Sequence, residues 1–218
     1  LRAEGAAPPL AGWRDEPFAV RSSFHAPPAL IVERAAAPLI GVPAYGVFVN
    51  GYLASDDGRP TSVWLGRRSK AKPTWPGLLD CVAAGGLAAG ALPFAAMAKE
   101  CSEEAGISPQ LAAQARAAGC VSYTGFSPCG WGLKRDVLFT FDLELPASFE
   151  PRCVDGEMES FALHAVDALA ERLASPDAGF KPNVGVILVD FLVRRGFVSP
   201  DEPGYLPLVG ALRGATCV

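Results

Sequence analysis

The 218-residue chain is long enough for one good hydrophobic core, or for a main domain with a small extension, and too short for two full domains. Half of its residues are hydrophobic and 19% are charged, and 20 prolines and 23 glycines are spread along it, which is the composition of a folded, loop-rich globular protein. A formal net charge of -4 with two histidines excludes a general attraction for nucleic acid or anionic membrane, so a polyanion site must be a local basic patch.

Residues 1–43 are rich in proline and alanine, with an isolated Trp13-Arg14-Asp15-Glu16 cluster, and read as an irregular N-terminal extension packed on the main domain. The chain opens on Leu1 and lacks the basic start and continuous apolar run of a secretory signal, which fits a truncated or processed product. The main domain is expected over 44–200 and a C-terminal tail over 201–218. Tyr45, Val47 and Val49 alternate with Gly46, Phe48 and Asn50, then Asp57-Gly58 marks a turn before Val63-Trp64-Leu65, so a hairpin is predicted. A loop runs through Lys72, Pro73 and Pro76. Residues 81–98 carry no charge, but Gly85, Gly86, Gly90 and Pro93 interrupt them, so they read as a flexible glycine loop leading into a helix rather than a membrane span. That helix begins at Pro93, whose missing amide proton costs nothing in a first turn, and ends at Gly106. Further strands are predicted at 120–123, 137–145 and 158–163, and helices at 165–174 and 182–195, the last stopped by Gly196. This order implies a mixed sheet covered by helices on two sides, a layered α/β or α+β sandwich. The six cysteines follow no metal-knuckle spacing and read as reduced thiols of a cytoplasmic protein.

On the 93–106 helix, Phe94, Met97, Ala98, Cys101 and Ala105 fall within an arc of about 100°, the stripe a helix buries. Glu100, Glu103 and Glu104 fall on another arc, roughly opposite, at spacings of three and four that bring like charges together. Such a grouping costs tenths of a kcal/mol per pair, at about the level measured on isolated helices, unless a cation offsets it. A hard divalent cation with oxygen ligands does so, while phosphate oxygens of a substrate complete its shell. The bland alternative is a solvated acidic face.

Gly85, Glu100, Cys101, Glu103, Glu104, Gly106 and Ile107 stand at the spacings of the Nudix box, and the segment resembles it. Two positions depart: Ala91 stands where the box has its first Glu, and Lys99 where it has Arg. The resemblance implies a MutT-like Nudix α/β/α sandwich, with Mg²⁺ or Mn²⁺ held mainly by Glu100, Glu103 and Glu104. It extends from Trp13 to about Tyr205 and is nearest to the thiamin-pyrophosphokinase-related branch. The segments that carry the likeness include Tyr45 to Tyr52, Arg67-Arg68-Ser69-Lys70 through Trp75-Pro76-Gly77, Arg135-Asp136-Val137 and Asp155-Gly156-Glu157. The implied activity is hydrolysis of thiamin diphosphate, or of its oxidised or damaged forms, to the monophosphate.

Arg67, Arg68, Lys70 and Lys72 form the local basic patch that a diphosphate needs, or else a solvated loop. Trp75 offers a stacking surface for a heterocycle, or a packing anchor. Gly85 and Gly86 are candidate substrate-loop residues. The general base is expected among Glu103, Glu104, Glu157 and Glu159, the last two sharing a strand face by their separation of two. His25 and His164 are isolated and carry no assigned role. The expected partner is a small-molecule diphosphate, without nucleic acid or membrane, and a homodimer is compatible with the resemblance. A nucleotide-type substrate such as ADP-ribose, a nucleotide sugar or an oxidised nucleotide, or a ligand-binding module weakened at Ala91 and Lys99, stand as alternatives.

Overall fold

The computed structural model describes residues 7–126, 130–175 and 178–214. The N-terminal segment is not irregular throughout: β1 (Pro17–Val20) and β2 (Leu30–Glu33) pair antiparallel, from Pro17 opposite Glu33 to Val20 opposite Leu30. Four-residue strands with only Phe18 buried are too short to print an alternation in the sequence. A 3-10 turn (Arg34–Ala36) and one helical turn, α1 (Ala37–Ile40), then lead to Gly41, whose φ of 66° closes the turn.

The main sheet is built from β3 (Pro43–Ala54), β4 (Pro60–Arg68), β5 (Leu79–Asp80), β6 (Ala83–Gly86), β7 (Arg116–Phe126), β8 (Leu133–Glu144) and β9 (Met158–Ala165). Its order is β5-β4-β3-β8-β7, with β6 added to β3 and β9 to β4. β3 lies parallel to β8 and antiparallel to β4 and β6, so the sheet is mixed as expected. The β3–β4 hairpin turns where Asp57-Gly58 predicts it, with Gly58 at φ 81°. β7 is longer than its apolar stretch suggests, because a register shift between Ala117 and Cys120 breaks the alternation there, and Gly119 takes φ 96°.

α2 (Pro93–Ala105) and α3 (Pro109–Ala112) lie on one side of the sheet, and α4 (Val166–Leu173) and α5 (Pro182–Arg194) on the other. β3 feeds both layers by its two-residue period: Val47 and Val49 meet Met97, Cys101 and Ala105 of α2, while Phe48 and Tyr52 meet Ile187, Leu188 and Phe191 of α5. The region 201–218, expected as a tail, contains a helix, α6 (Tyr205–Ala211). Among the described residues no helix is long and apolar enough to cross a membrane.

Two local expectations change. Gly85 and Gly86 are strand residues, paired with Val47 and Gly46, and the glycine-rich loop is confined to the residues after them. Phe94 is exposed rather than part of the buried stripe, and touches Phe141 edge-on from the rim, with ring centres 6.0 Å apart.

Candidate functional site

α2 is delimited as its sequence dictates, with Pro93 in the first turn and Gly106 at φ 65° receiving the chain, its N–H donating to Cys101 O. Its three glutamates are not equivalent. At 100° per residue Glu104 stands about 40° from Glu100 toward the Cys101 and Ala105 stripe, whereas Glu103 stands about 60° away on the other side. Glu104 is accordingly buried at 1% exposure, the Glu100 side chain is 18% exposed, and that of Glu103 is 50% exposed. Their predicted common face is a gradient from core to solvent.

Glu104 Oε2 accepts the Ala84 N–H of β6 at 2.8 Å. Burial pushes its carboxyl well above the usual range, and the charges of Asp80, Glu100 and Glu157 push it further, against the opposing bond from Ala84. Glu100 is also raised, first by burial and then by Glu103 and Glu157, with Lys99 opposing. It lies against β6 so closely that a Cβ on Gly85 would stand 2.3 Å from its Cδ, so any side chain there would have to push the carboxylate aside. Glu103 turns outward to Lys99 Nζ at 2.6 Å.

Glu157, just ahead of β9, joins this group. Burial raises its carboxyl, but the bond and charge of Lys72, a bond with Glu104 and the charge of Arg68 outweigh it and hold the group below the carboxylate range. Glu159 is elsewhere: exposed, it accepts the Lys70 N–H at 2.8 Å and fastens the loop after β4. A register shift between Arg67 and Arg68 against β9 accompanies this divergence.

The basic patch is divided. Arg68 is buried; Nη1 donates to Asp80 Oδ2 at 2.7 Å, Nε to Trp75 O at 3.0 Å and Nη2 to Thr74 O at 2.9 Å, so it holds the loop from within instead of facing a substrate. Arg67 points to the other side of β4, exposed, with Nη1 on Gly77 O. Lys72 is engaged by Glu157, and Lys70 is exposed. Trp75 is half-buried at φ 53° and takes part in the Arg68 lock through its carbonyl.

Asp80 was not singled out by the sequence. It is 1% exposed and accepts from Arg68, from Lys181 Nζ at 2.9 Å and from Cys81 N. Burial raises its carboxyl, but Lys181 and Arg68 hold it down. Its charge is the second contributor to the Glu104 shift. Only the fold brings Asp80 and Lys181 together, so no sequence spacing signals the pair.

Among the described residues no three His, Cys, Asp or Glu side chains stand as a ready-made metal cage. The donor chemistry nonetheless fits a hard divalent cation, since Glu100, Glu104 and Glu157 are oxygen donors whose charges raise one another or share a hydrogen bond, a repulsion that a cation relieves.

Comparison with known proteins shows the family and the fold to which these residues belong. The chain is 44% identical over 208 residues to Nudix hydrolase 20, chloroplastic, of Arabidopsis thaliana, covering 95% of this chain and 54% of that protein. It is 43% identical over 208 residues to Nudix hydrolase 24, chloroplastic, of the same plant, covering 95% and 56%. The chain thus spans about half the length of these curated relatives. Among solved structures, the protein DR0079 of Deinococcus radiodurans superposes with a TM-score of 0.56 at 20% identity, covering 79% of this chain and 97% of that one, which speaks for the fold. The NUDIX domain of NrtR from Shewanella oneidensis, solved with ADP ribose, superposes with a TM-score of 0.51 at 12% identity, covering 70% and 88%. Residues 1–44 match a domain of unknown function, DUF4743. Residues 44–184 match the NUDIX domain, and they include the whole of the glutamate helix and its glycine strand: the chain belongs to the Nudix family.

Proposed function

We propose that the chain is a divalent-metal-dependent hydrolase that converts a small organic diphosphate to its monophosphate and phosphate, with thiamin diphosphate or its oxidised or damaged analogues as the substrate class. The observation that carries the hydrolase reading is the set of interacting carboxylates Glu100, Glu104 and Glu157 against Gly85, on the helix and strand of the Nudix match. The thiamin assignment is supported by the resemblance of segments outside that helix, beginning at Trp13.

Glu100 and Glu104, with Glu103 at the rim, would hold Mg²⁺ or Mn²⁺, which when bound would polarise a phosphoryl oxygen and lower the pKa of water. Water oxygen forms a bond to one phosphorus, the bond from that phosphorus to the bridging oxygen breaks, and a carboxylate takes the water proton. Glu157 is the better placed acceptor, because it stands beside Glu104 in the carboxylate group, whereas Glu159 is occupied at the loop. The binding of ADP ribose to the NrtR domain favours a nucleotide-type substrate as the second reading.

The test is product analysis on a panel of thiamin diphosphate, its oxidised analogues, ADP-ribose, a nucleotide sugar and an oxidised nucleoside triphosphate, with Mg²⁺ and with Mn²⁺. Preference for a thiamin-type diphosphate is expected. Preference for any nucleotide overturns the substrate class, and metal binding without turnover of any diphosphate favours a ligand-binding module.

A further inference from the structure

The loop between β4 and β5 lies against the carboxylate group, and one of its cations reaches that group. Ser69 N donates to Glu157 O at 2.9 Å and Lys70 N to Glu159 Oε1 at 2.8 Å, which ties the start of the loop to the chain that carries Glu157. Further on, Arg68, fixed on buried Asp80, holds the Thr74 and Trp75 carbonyls from within. The backbone is therefore fastened on both sides of Lys72, whose own N–H donates to Ser69 O at 3.1 Å. What remains adjustable at this position is a flexible side-chain stem ending in an ammonium.

The Lys72 side chain is 14% exposed, and its ammonium forms an ion pair with Glu157 Oε2. Glu157 in turn shares a hydrogen bond with Glu104, and its charge acts on both Glu104 and Glu100. Lys72 thus stands a single carboxylate away from the helix glutamates. The other cations near the group are placed differently. Arg68 and Lys181 are committed to Asp80, which is 1% exposed, while Lys99 is 61% exposed and pairs with Glu103 and Glu100 at the solvent side of α2.

We infer that Lys72 exchanges between Glu157 and the substrate's diphosphate, so that this one ammonium couples the binding of the metal to the binding of the diphosphate. This rests on the metal-dependent diphosphate reading given above. A divalent cation on Glu100 and Glu104 adds positive charge beside Glu157 and opposes the ammonium there. The fastened loop keeps the displaced ammonium within a side-chain length of the ion, where a phosphoryl oxygen of the diphosphate supplies it with a new anionic partner. Without the diphosphate, Lys72 therefore works against the metal; with it, the two cations share one polyanion, and each ligand favours the other by the same factor. The exchange also releases Glu157 to accept the water proton.

The test uses the full chain and two binding measurements. Mn²⁺ alone is titrated and followed by the electron paramagnetic resonance signal of the free ion. Methylenediphosphonate, a non-hydrolysable diphosphate, is titrated calorimetrically with Mn²⁺ in the same excess for every variant. Lys72→Met is expected to bind Mn²⁺ alone at least about threefold more tightly, the scale of a partly exposed ion pair removed from competition. The same variant is expected to bind the diphosphonate at least about tenfold more weakly, the loss of one charge-assisted contact. Lys72→Arg, which keeps the charge, should return both affinities to within about threefold of wild type. Lys70→Met removes an exposed charge from the same loop and should leave both within about twofold. Thermal unfolding of each variant establishes that it is folded at the titration temperature. Opposite changes in the two affinities of Lys72→Met support the inference. Weakening of both makes Lys72 a structural prop of Glu157 and overturns it, as does either affinity staying within about twofold of wild type. A wild-type chain that takes both probes but hydrolyses no diphosphate sinks the hydrolase reading and leaves the inference to stand on Lys72→Met, whereas a wild-type chain that takes neither probe overturns both.

Discussion

At Gly85 the space for a side chain belongs to another residue. The backbone there does not need a left-handed φ, so the demand is steric: a methyl group would stand 2.3 Å from Glu100 Cδ and 2.5 Å from its Oε1. Gly85→Ala should displace that carboxylate by an ångström or so and lower turnover about a hundredfold, as misplacement of that size does. Circular dichroism should stay unchanged, and turnover within about threefold of wild type would show that Glu100 relaxes freely. Glu104→Gln makes a complementary test, since it keeps the size and the bond from Ala84 N but removes the charge. A loss of about a hundredfold or more in kcat is expected, and a Mg²⁺ titration should show weaker activation. The spacing of the glutamates was legible in the sequence. Their inequality was not, because the depth of each side chain depends on how β6 and Asp80 meet the helix.

The element that departs furthest from its sequence reading is the stretch from β4 through β6. Four cations in six residues read as a surface patch, yet alternation along β4 sends Arg67 outward and Arg68 inward, where Asp80 awaits it across twelve residues of chain. Period two makes the split legible in principle. The partner was hidden, since Asp80 lies in a two-residue strand that no pattern announces. Arg68 therefore supports the loop from β4 to β5. Arg68→Leu should lower folding stability by about 3 kcal/mol, because Asp80 keeps Lys181 but loses a buried partner and the Thr74 and Trp75 carbonyls lose their donors. Urea denaturation measures this. An unchanged midpoint with a raised KM would return Arg68 to the substrate role that the sequence suggested. By the same token Gly85-Gly86 read as a flexible loop because two glycines carry no alternation, whereas pairing with β3 needs only their backbones.

For the whole molecule, the layered mixed sheet was legible from the order of apolar runs and helices, since both faces of β3 carry core residues. The polar joint that fastens β3 and β8 to α5 was not, because its members are spread from residue 50 to residue 213. Asp142 of β8 accepts from Asn50 Nδ2 at 3.0 Å, Arg194 Nη1 at 2.6 Å and Arg195 Nη2 at 2.8 Å, while Asp190 of α5 accepts from Arg194 Nε and Arg213 Nη2, each at 2.7 Å. Burial raises the Asp142 carboxyl, but the bonds and charges of Arg194, with Asn50 and Arg195, outweigh it and leave the group below its usual value. A carboxyl lower in the folded chain than the unfolded value of about 3.9 stabilises fully above that pH, and loses the contribution as pH falls through its folded value. Asp142→Asn should therefore lower stability by about 3 kcal/mol at neutral pH, the scale of a broken buried pair. The gap between mutant and wild type in thermal unfolding should hold from about pH 8 to pH 5 and narrow below about pH 4, as the wild-type carboxyl protonates and loses its own attraction. A gap that stays constant down to about pH 2 would mean that Asp142 serves by shape and hydrogen bonding alone, and that the charge of this joint contributes nothing to keeping α5 on the sheet.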